Sequence, residues 1–465
     1  MVAGACAPAA GANPVVPGDH PDPSILRTAG GWYATSTSDD WLPAFPLLHS
    51  RDLAQWRQAG SVLSRRPRWA RKDFWAPELV RRGGRVLAYY AALARNGRRC
   101  VAGASAARIA SPYRDHGPII CSRTGEIDPL PVTDEQSAPW LIWKRDGNSR
   151  GRPTPILAAP LAPGEMSLAG PPRELFRDSA GWERHNVEAP ALLRHDGLLY
   201  LLYSAGHCCG RNCVYATGVA RAPTLLGPWE KRPRPILRGG GGVRCPGHVG
   251  LTSARDGTPL LAYHAYVRGD PSNRQMFIAP LRFDVEGWPM VGPPLAGRGR
   301  GAPVTDWQWP AGPRPAFSAQ RGGIALRAGT VARQTGATRF VAETVLDVAD
   351  RRALPGLAVT GSEGNAVGIE LRAATVVAWS SVEGRRRITG RVRLPPGRPV
   401  AGAGRIRLRV LAGERVRVAA RVRGRWHAVG RLQRPPRWAS GARVALSVRA
   451  RHRTVRFEAP AIRPR

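Results

Sequence analysis

Three carboxylates sit in sequence contexts that fix the direction of their side chains. Asp22 lies in HPDPSI, Asp128 in EIDP and Glu188 in VEAP. Prolines on both sides of Asp22 hold its backbone extended, and Asp128 repeats the Asp-Pro pair. Two carboxyl groups can cleave a glycosidic bond, because one protonates the leaving oxygen while the other activates water or attacks directly. A third carboxylate nearby would raise the pKa of the acid, which suits a proton donor at neutral pH.

These carboxylates belong to a repeated unit. The segments FWAPELVRRGGRVLAYYAA and NVEAPALLRHDGLLYLLYSAG share a short strand, a Gly turn and an apolar strand, and weaker copies begin at Pro21, Ile127 and Gly247. Five copies about 50 to 60 residues apart predict a propeller, because one small sheet cannot bury its own faces. The heads of the copies are Asp22, Trp75, Asp128, Glu188 and His248. Since the innermost strand of each blade lines the central channel, we expect these side chains to meet at one mouth.

The last third of the chain has a different pattern. A linker rich in Gly, Pro and Arg precedes short alternating strands such as IALRAGT, AVGIELRA and RIRLRVLA, which are typical of a β-sandwich of the jelly-roll or lectin type. The sequence therefore predicts an all-β protein, with a five-bladed β-propeller over residues 13–300 and a β-sandwich over 301–465. Catalytic residues are expected only in the propeller.

The net charge of +37 raises the possibility of a polyanion partner. Almost all the positive charge is arginine, and residues 301–465 carry 32 Arg against nine Asp and Glu. These arginines alternate with Val, Leu and Ala, which indicates the solvated face of strands rather than a disordered tail. A contact with an acidic polysaccharide or cell wall stays open, and nucleic acid is not an expected partner. No apolar run approaches the roughly 18 residues that a membrane-spanning helix needs.

Seven cysteines favour an oxidising compartment. Cys100 and Cys121 fall in the second copy and are predicted to form a disulfide. The cluster HCCGRNC with Cys245 could hold zinc through His207, but it lacks paired ligands at both ends, so disulfides or free thiols are favoured. The segment MVAGACAPAAGA has no typical signal-peptide pattern. It could be the stub of an export signal with Cys6 as an anchor, or an ordinary leader.

The order of these motifs resembles a known family. The runs NPVVPGDHPDPSI, WAPE, IDP, VEAP and PGHVG follow one another as in glycoside hydrolase family 43, the five-bladed propeller hydrolases that act on arabinofuranosyl and xylopyranosyl linkages. The resemblance covers Asn13 to about Arg300, and the segment beginning TDWQWP is similar to the β-sandwich that follows the propeller in some members. Two features depart from the pattern: the acidic run after Asp128 is reduced to TDEQSAP, and HCCGRNC could cap the mouth.

The resemblance implies roles for individual residues. Asp22 would be the general base of an inverting hydrolase, Glu188 the general acid and Asp128 the residue that tunes the pKa of the acid. His248 would lie beside a central water or metal ion. No cofactor is required, although a structural Ca²⁺ or another ion could occupy the channel.

Further residues are candidates for substrate contact, and His248 is one of them. Arg274 resembles a family position that reaches the sugar, and Phe74 and Trp75 suit either sugar stacking or packing within the blade. Glu78 is expected to pair with an arginine of its own blade.

The resulting hypothesis is a monomeric, extracellular or cell-surface hydrolase that cleaves α-L-arabinofuranosyl linkages of arabinan or arabinoxylan. Three alternatives stay open. They are a β-xylosidase of the same family, a carbohydrate-binding propeller without turnover, and a polyanion-binding protein driven by the basic tail.

Overall fold

The structure is a computed structural model. It describes residues 13–464 apart from 211, 299–303, 305, 321, 338, 348–352, 363, 395–404, 423, 434–440 and 450–452. Cys6 and the predicted domain boundary at residues 300 and 301 lie outside the described residues. The chain divides into two compact units, one of residues 1–39 and 43–303 and the other of residues 40–42 and 304–465.

The first unit contains five four-stranded antiparallel sheets, in chain order. The first is built from β1 (Ser24–Thr28), β2 (Gly31–Thr35), β4 (Ala44–Ser50) and β5 (Arg57–Leu63), with the two-residue β3 (Trp41–Leu42) between β2 and β4 belonging to the second unit. The second has β6 (Ala70–Arg82), β7 (Arg85–Ala94), β8 (Arg99–Ala106) and β9 (Arg114–Cys121). The third has β10 (Glu126–Thr133), β11 (Pro139–Arg145), β12 (Ile156–Pro160) and β13 (Arg173–Phe176). The fourth has β14 (Val187–His195), β15 (Leu198–Ala205), β16 (Ala216–Ala222) and β17 (Glu230–Lys231), and the fifth has β18 (Val243–Ser253), β19 (Pro259–Val267), β20 (Asp270–Phe283) and β21 (Pro289–Val291).

The five sheets form a ring through their first strands. Each of β1, β6, β10, β14 and β18 neighbours the next, and β18 returns to β1. The ring is also closed by the N-terminal segment, because Val16 bridges Met276 of β20 and the His20 N–H donates to the Arg274 carbonyl at 2.8 Å. This is the five-bladed β-propeller that the sequence predicted. Apolar residues of adjacent blades pack between the sheets, as when Tyr200 and Leu202 of β15 pack with Phe277 of β20.

The second unit is a two-sheet β-sandwich, as predicted. One sheet runs in the order β23-β24-β35-β26-β31-β32-β33 with β36 paired to β26, and the other in the order β25-β34-β27-β28-β29-β30. The strands of the first sheet are β23 (Ala316–Gln320), β24 (Gly323–Arg327), β26 (Phe340–Asp347), β31 (Arg405–Ala412), β32 (Arg417–Val422), β33 (Arg425–Ala428), β35 (Thr454–Glu458) and β36 (Ala461–Pro464). Those of the second are β25 (Gly329–Gln334), β27 (Pro355–Ser362), β28 (Asn365–Arg372), β29 (Thr375–Val382), β30 (Arg385–Arg393) and β34 (Arg443–Val448), while β22 (Trp309–Pro310) pairs with β3.

The alternating pattern of the tail explains its core. Leu408 and Val410 of β31 are fully buried, whereas Arg405 and Arg407 point to the other face of the same strand and are more exposed. The buried side chains of the two sheets form one apolar cluster. The arginine-rich composition is therefore compatible with a conventional sandwich core.

Candidate active site

The five inner strands share a strained backbone position near the channel. In each blade the residue at this position, on the inner strand or just before it, adopts a left-handed conformation that non-glycine residues rarely take. These residues are Asp22 (φ 55°), Ala76 (47°), Asp128 (56°), Ala189 (55°) and His248 (48°). A proline follows four of the five, and the ladder register shifts in β6, β10, β14 and β18 at this point. By this criterion the heads of the second and fourth blades are Ala76 and Ala189. The heads predicted from the sequence, Trp75 and Glu188, each lie one residue earlier in the chain.

Side chains of neighbouring blades satisfy the N–H groups of these strained residues. The Ala76 N–H donates to Thr37 Oγ1 at 2.7 Å, and the Ala189 N–H donates to Asp128 Oδ2 at 3.0 Å. In the same way, the N–H groups of His248 and Asp22 donate to Ser204 Oγ at 2.8 Å and to His264 Nδ1 at 3.0 Å. Because each bond crosses from one blade to the next, it fixes the heads relative to one another.

Asp22 is surrounded by cationic and donor groups. Its Oδ1 lies 3.4 Å from Arg274 Nη1, 3.4 Å from His248 Nδ1 and 3.3 Å from His264 Nδ1. Its Oδ2 accepts a 2.6 Å hydrogen bond from Thr37 Oγ1. Burial alone would raise the pKa of Asp22, but the neighbouring Arg274 and His248 hold it well below its ordinary value. Asp22 is thus a carboxylate at any working pH, as a general base must be.

His264 is fully buried and supports Asp22 through the backbone. Burial lowers the pKa of His264 to about 4, with Arg274 and His248 acting in the same direction and Asp22 opposing them. Its Nδ1 accepts the Asp22 N–H, so the neutral ring carries its hydrogen on Nε2. Tyr215 stacks on this ring with a centroid distance of 5.8 Å.

Glu188 has a lysine partner that the sequence did not reveal. Lys144 of β11 is buried, with its side chain 1% exposed, and its Nζ lies 2.6 Å from Glu188 Oε2. The Asn186 amide also donates to this oxygen at 3.1 Å, and the Tyr215 hydroxyl is hydrogen-bonded to the same carboxyl group. Burial would raise the pKa of Glu188, but Lys144 and these hydrogen bonds bring it below its ordinary value.

Asp128 interacts electrostatically with the other two carboxyl groups. Burial raises the pKa of Asp128 to about 7, the charges of Glu188 and Asp22 add to the effect, and His248 and Lys144 oppose it. The three predicted carboxyl groups therefore share one buried region. Within the Asp128–Glu188 pair the geometry places the proton on Asp128, because Lys144 contacts Glu188 directly.

His248 was predicted to lie beside a central water or metal ion. Among the described residues, no three His, Cys, Asp or Glu side chains are grouped as metal ligands. His248 turns its Nδ1 to Asp22, and the buried Nε2 of His264 carries a hydrogen and has no hydrogen-bond partner in the described structure. Ca²⁺ requires several oxygen ligands, some of which water can supply. The contact of His248 with a metal ion through water stays a prediction, and the His248 ring is a neighbour of the Asp22 carboxylate.

The predicted substrate-contact residues separate into two groups. Arg274 lies at the site, with its side chain 9% exposed and in contact with Asp22. Phe74 is completely buried and packs edge-on against Phe45, with centroids 6.1 Å apart, so it has no free face for a sugar. Trp75 is partly exposed, but Arg99 lies over its ring at 4.2 Å and its Nε1 donates to Asp39 at 2.7 Å. The structure thus corrects the assignment of Phe74 and leaves that of Trp75 as a prediction.

The six cysteines in the described part of the chain form three disulfides. Cys100 and Cys121 are bridged between β8 and β9, which confirms the prediction. Cys208 is bonded to Cys209, and Cys213 to Cys245 of β18. Cys209 Sγ lies 3.6 Å from Arg274 Nη1. The Cys213–Cys245 bond thereby links the loop before β16 to the fifth blade, and Cys209 lies beside the site.

Lys144, Tyr215, Asn186 and His264 are site residues that the sequence analysis missed. None heads a repeat, since they come from second strands and loops. One signal was available for Lys144: it is one of three lysines among 70 Lys and Arg, and all three form ion pairs with carboxylates. A lysine retained in so arginine-rich a chain marks a position that requires a compact point charge.

The fold and the carboxyl cluster together define a propeller of the glycosidase type, and comparison with known proteins identifies the family. The model of the glycosyl hydrolases family 43 matches residues 11–289. The chain belongs to this family.

Individual relatives are between 25% and 29% identical to this chain over the aligned residues. It is 28% identical over 305 residues to the extracellular exo-α-(1→5)-L-arabinofuranosidase ArbA of Cellvibrio japonicus, covering 59% of this chain and 86% of the relative. It is 29% identical over 246 residues to the xylosidase/arabinosidase 43B of Humicola insolens, covering 48% and 42%. The extracellular endo-α-(1→5)-L-arabinanase 1 of Bacillus subtilis is 25% identical, covering 58% and 86%.

A solved structure resembles the fold over nearly the whole chain. The xylan β-1,4-xylosidase of Bacillus halodurans C-125 superposes with a TM-score of 0.80 at 20% identity, over 98% of this chain and all of the other. At this identity the likeness supports the propeller and the sandwich as folds. In the described part of the chain, no helix is long and apolar enough to cross a membrane.

Proposed function

We propose that this protein is an inverting glycoside hydrolase that removes α-L-arabinofuranosyl units from arabinan or arabinoxylan, with Asp22 as general base and Glu188 as general acid. The observation that carries the proposal is the contrast between these two carboxyl groups. Asp22 is held ionised by Arg274 and His248, whereas Glu188 shares a buried region with Asp128, whose pKa is raised to about 7.

The base acts on water. A carboxylate held by a permanently charged arginine keeps its lone pairs available at any pH at which the fold is stable, and Thr37 and His264 fix its orientation through Oδ2 and the backbone N–H. Such a group can accept a proton from a water molecule that attacks the anomeric carbon. Asp22 and Glu188 come from the first and fourth of five blades, and we expect the distance between them to accommodate that water, as inversion requires.

The acid acts on the leaving oxygen. In the resting state the pair formed by Asp128 and Glu188 holds one proton, and Asp128 is its more basic member. Glu188 becomes the proton donor when the proton resides on it instead, which Asp128 in its ionised form favours by like-charge repulsion. Asp128 also accepts the Ala189 N–H, so it positions the residue that follows the acid.

Arabinofuranoside is preferred over xyloside because the relatives covered to 86% of their length are named an exo-arabinofuranosidase and an endo-arabinanase. A β-xylosidase is the second candidate, since the Humicola insolens relative is named for both activities. We further propose that the enzyme works outside the cell as a monomer on an oligosaccharide or polysaccharide. The three disulfides and the extracellular relatives support that location.

The purified protein should be assayed on an aryl α-L-arabinofuranoside, an aryl β-D-xyloside and linear arabinan. Proton NMR in the first minutes of reaction identifies the anomer that forms first. Faster turnover of the arabinofuranoside with inverted product supports the proposal, faster turnover of the xyloside supports the second candidate, and a retained product contradicts the mechanism. A carbohydrate-binding propeller would bind arabinan without turning over any of the three.

A further inference from the structure

Lys144 has no assigned role in the chemistry above, yet it is the most buried cation of the site. Its Nζ lies 2.6 Å from Glu188 Oε2, 3.2 Å from Asp146 Oδ1 and 3.3 Å from Asn148 Oδ1. It projects from β11, opposite Ile127, the residue before Asp128. Removing an ammonium group from water costs several kcal/mol unless close anions compensate for it. A lysine in this place is therefore held by two carboxylates, one of which is the proposed acid.

The two carboxylates differ in what else they contact. Glu188 also receives hydrogen bonds from Asn186 and Tyr215 and feels the charge of Asp128. Asp146 lies outside this cluster, and its Oδ2 is 3.8 Å from Arg99 Nη1. When Glu188 takes up a proton, Lys144 keeps Asp146 as a counter-ion. The arrangement thus tolerates both protonation states of Glu188 without leaving a buried ammonium uncompensated.

Lys144 also shifts the equilibrium between the ionised and the protonated forms of Glu188. A cation 2.6 Å from Glu188 stabilises its carboxylate form at the expense of the form that donates a proton. Asp146 also pairs with Lys144 and partly neutralises its charge, which limits how strongly the lysine stabilises the Glu188 carboxylate. Lys144 and Asp146 together therefore determine how strongly the carboxylate form of Glu188 is favoured. Neither residue is proposed to touch the reacting atoms.

We propose that Lys144 is a positioning residue that holds Glu188 in its carboxylate form, confining the proton-donating form to acidic pH, with Asp146 limiting how strongly it does so. This inference rests on the proposed role of Glu188. It predicts that this hydrolase loses activity on the alkaline side earlier than it would without the lysine.

The test is the pH profile of kcat/KM on an aryl α-L-arabinofuranoside with a poor leaving group, so that proton donation limits the rate. In Lys144→Met the burial of Glu188 is no longer opposed, and the alkaline limb should move to higher pH by about one unit or more. In Asp146→Asn the lysine acts on Glu188 alone, and the limb should move to lower pH. The acidic side of the profile should be the same in both variants as in the wild type, because Asp22 stays ionised throughout.

A matched control is Lys231→Met. Lys231 forms a similar lysine–glutamate pair, 2.8 Å from the buried Glu183, so its loss has a comparable effect on stability but should leave the alkaline limb unmoved. If Lys144→Met does not fold, Asp146→Asn decides the matter alone. An alkaline limb that stays in place or moves to higher pH in Asp146→Asn, or stays in place in a folded Lys144→Met, overturns the inference.

Failure of the proposed function has a different signature. Glu188→Gln measured on the same substrate would then keep the activity of the wild type, whatever the lysine variants do. If Glu188→Gln loses activity and the limbs of the lysine and aspartate variants do not move, only the role of Lys144 is wrong.

Discussion

Asp22 and the Asp128–Glu188 pair lie at the beginnings of inner strands of the same propeller and are buried to a similar degree, but their electrostatic surroundings differ. Asp22 faces an arginine, which cannot lose its charge, and two histidines. Glu188 faces a lysine that it shares with Asp146, and a second carboxyl group lies beside it.

The difference shows how one fold makes a base and an acid from the same functional group. Burial raises the pKa of every carboxyl group in the channel. Beside Asp22 the cations overcome burial, so the group stays ionised. Beside Asp128 they do not, and the pKa rises to about 7. The number and kind of cations, rather than the depth of burial, therefore determine which carboxyl group can hold a proton.

The largest effect is expected from Asp22→Asn. It removes the group that activates water, which every substrate needs, so kcat should fall by about 10³-fold or more on all aryl arabinofuranosides irrespective of leaving group. Steady-state kinetics over a series of leaving groups measure this. Near-normal turnover by Asp22→Asn on any of them would show that the cation-rich carboxylate is not the base.

Glu188→Gln should have a smaller and substrate-dependent effect. An amide cannot donate the proton, so kcat should fall by about 10²-fold or more for a poor leaving group and little for one that departs without protonation. The same series of substrates tests this. A loss that is equal across the series in Glu188→Gln, together with a graded loss in Asp128→Asn, would reassign the acid to Asp128, where the structure places the resting proton.

Asp128→Asn should act mainly through the pH profile. Removing a like charge beside Glu188 makes the ionised form of Glu188 easier to reach, so its pKa falls and the alkaline limb of kcat/KM moves to lower pH. An asparagine oxygen can still accept the Ala189 N–H at the position of Asp128 Oδ2, which preserves the backbone. An alkaline limb that moves to higher pH would mean that Asp128 is itself the titrating donor.

The sequence was sufficient for the blades but not for their register. The copies repeat a Gly turn and an apolar strand, so five sheets could be predicted from the amino-acid sequence. Glu188 was placed at the head of the fourth copy, whereas the left-handed residue is Ala189, with φ 55°. A positive φ at an alanine has no signature in residue type, so the shift by one residue could be seen only in the folded chain. Residues 40–42, which belong to the second unit, gave no signal either.

The carboxyl groups were predictable and their partners were not. Asp22, Asp128 and Glu188 were identified by motif, and the structure brings them into one region. Lys144 and Tyr215 come from a second strand and a loop, positions that the repeat does not mark. Phe74 was misjudged because an aromatic residue beside the head of a strand can point to the channel or into the blade, and burial decides between the two.

The smallest effect concerns Glu78, a third kind of carboxyl environment that isolates burial from charge. It lies on β6, and the arginine partner expected for it is not found in the described part of the chain. Burial raises its pKa to about 8 from an ordinary 4.5, and a hydrogen bond from Ser24 opposes the rise.

The folded state therefore binds the proton of Glu78 more tightly than the unfolded state does. The contribution of this proton to stability is complete below about pH 4.5 and is lost as the pH rises to about 8. Glu78→Gln removes the titration, and its stability relative to the wild type should increase across this window. Urea denaturation at pH 5 and pH 8 measures the difference, with Glu230→Gln, an exposed glutamate of β17, as control. If the relative stability of Glu78→Gln is the same at both pH values, then burial without a cation does not protonate a carboxyl group in this propeller. The account of Asp128 given above would then require another cause.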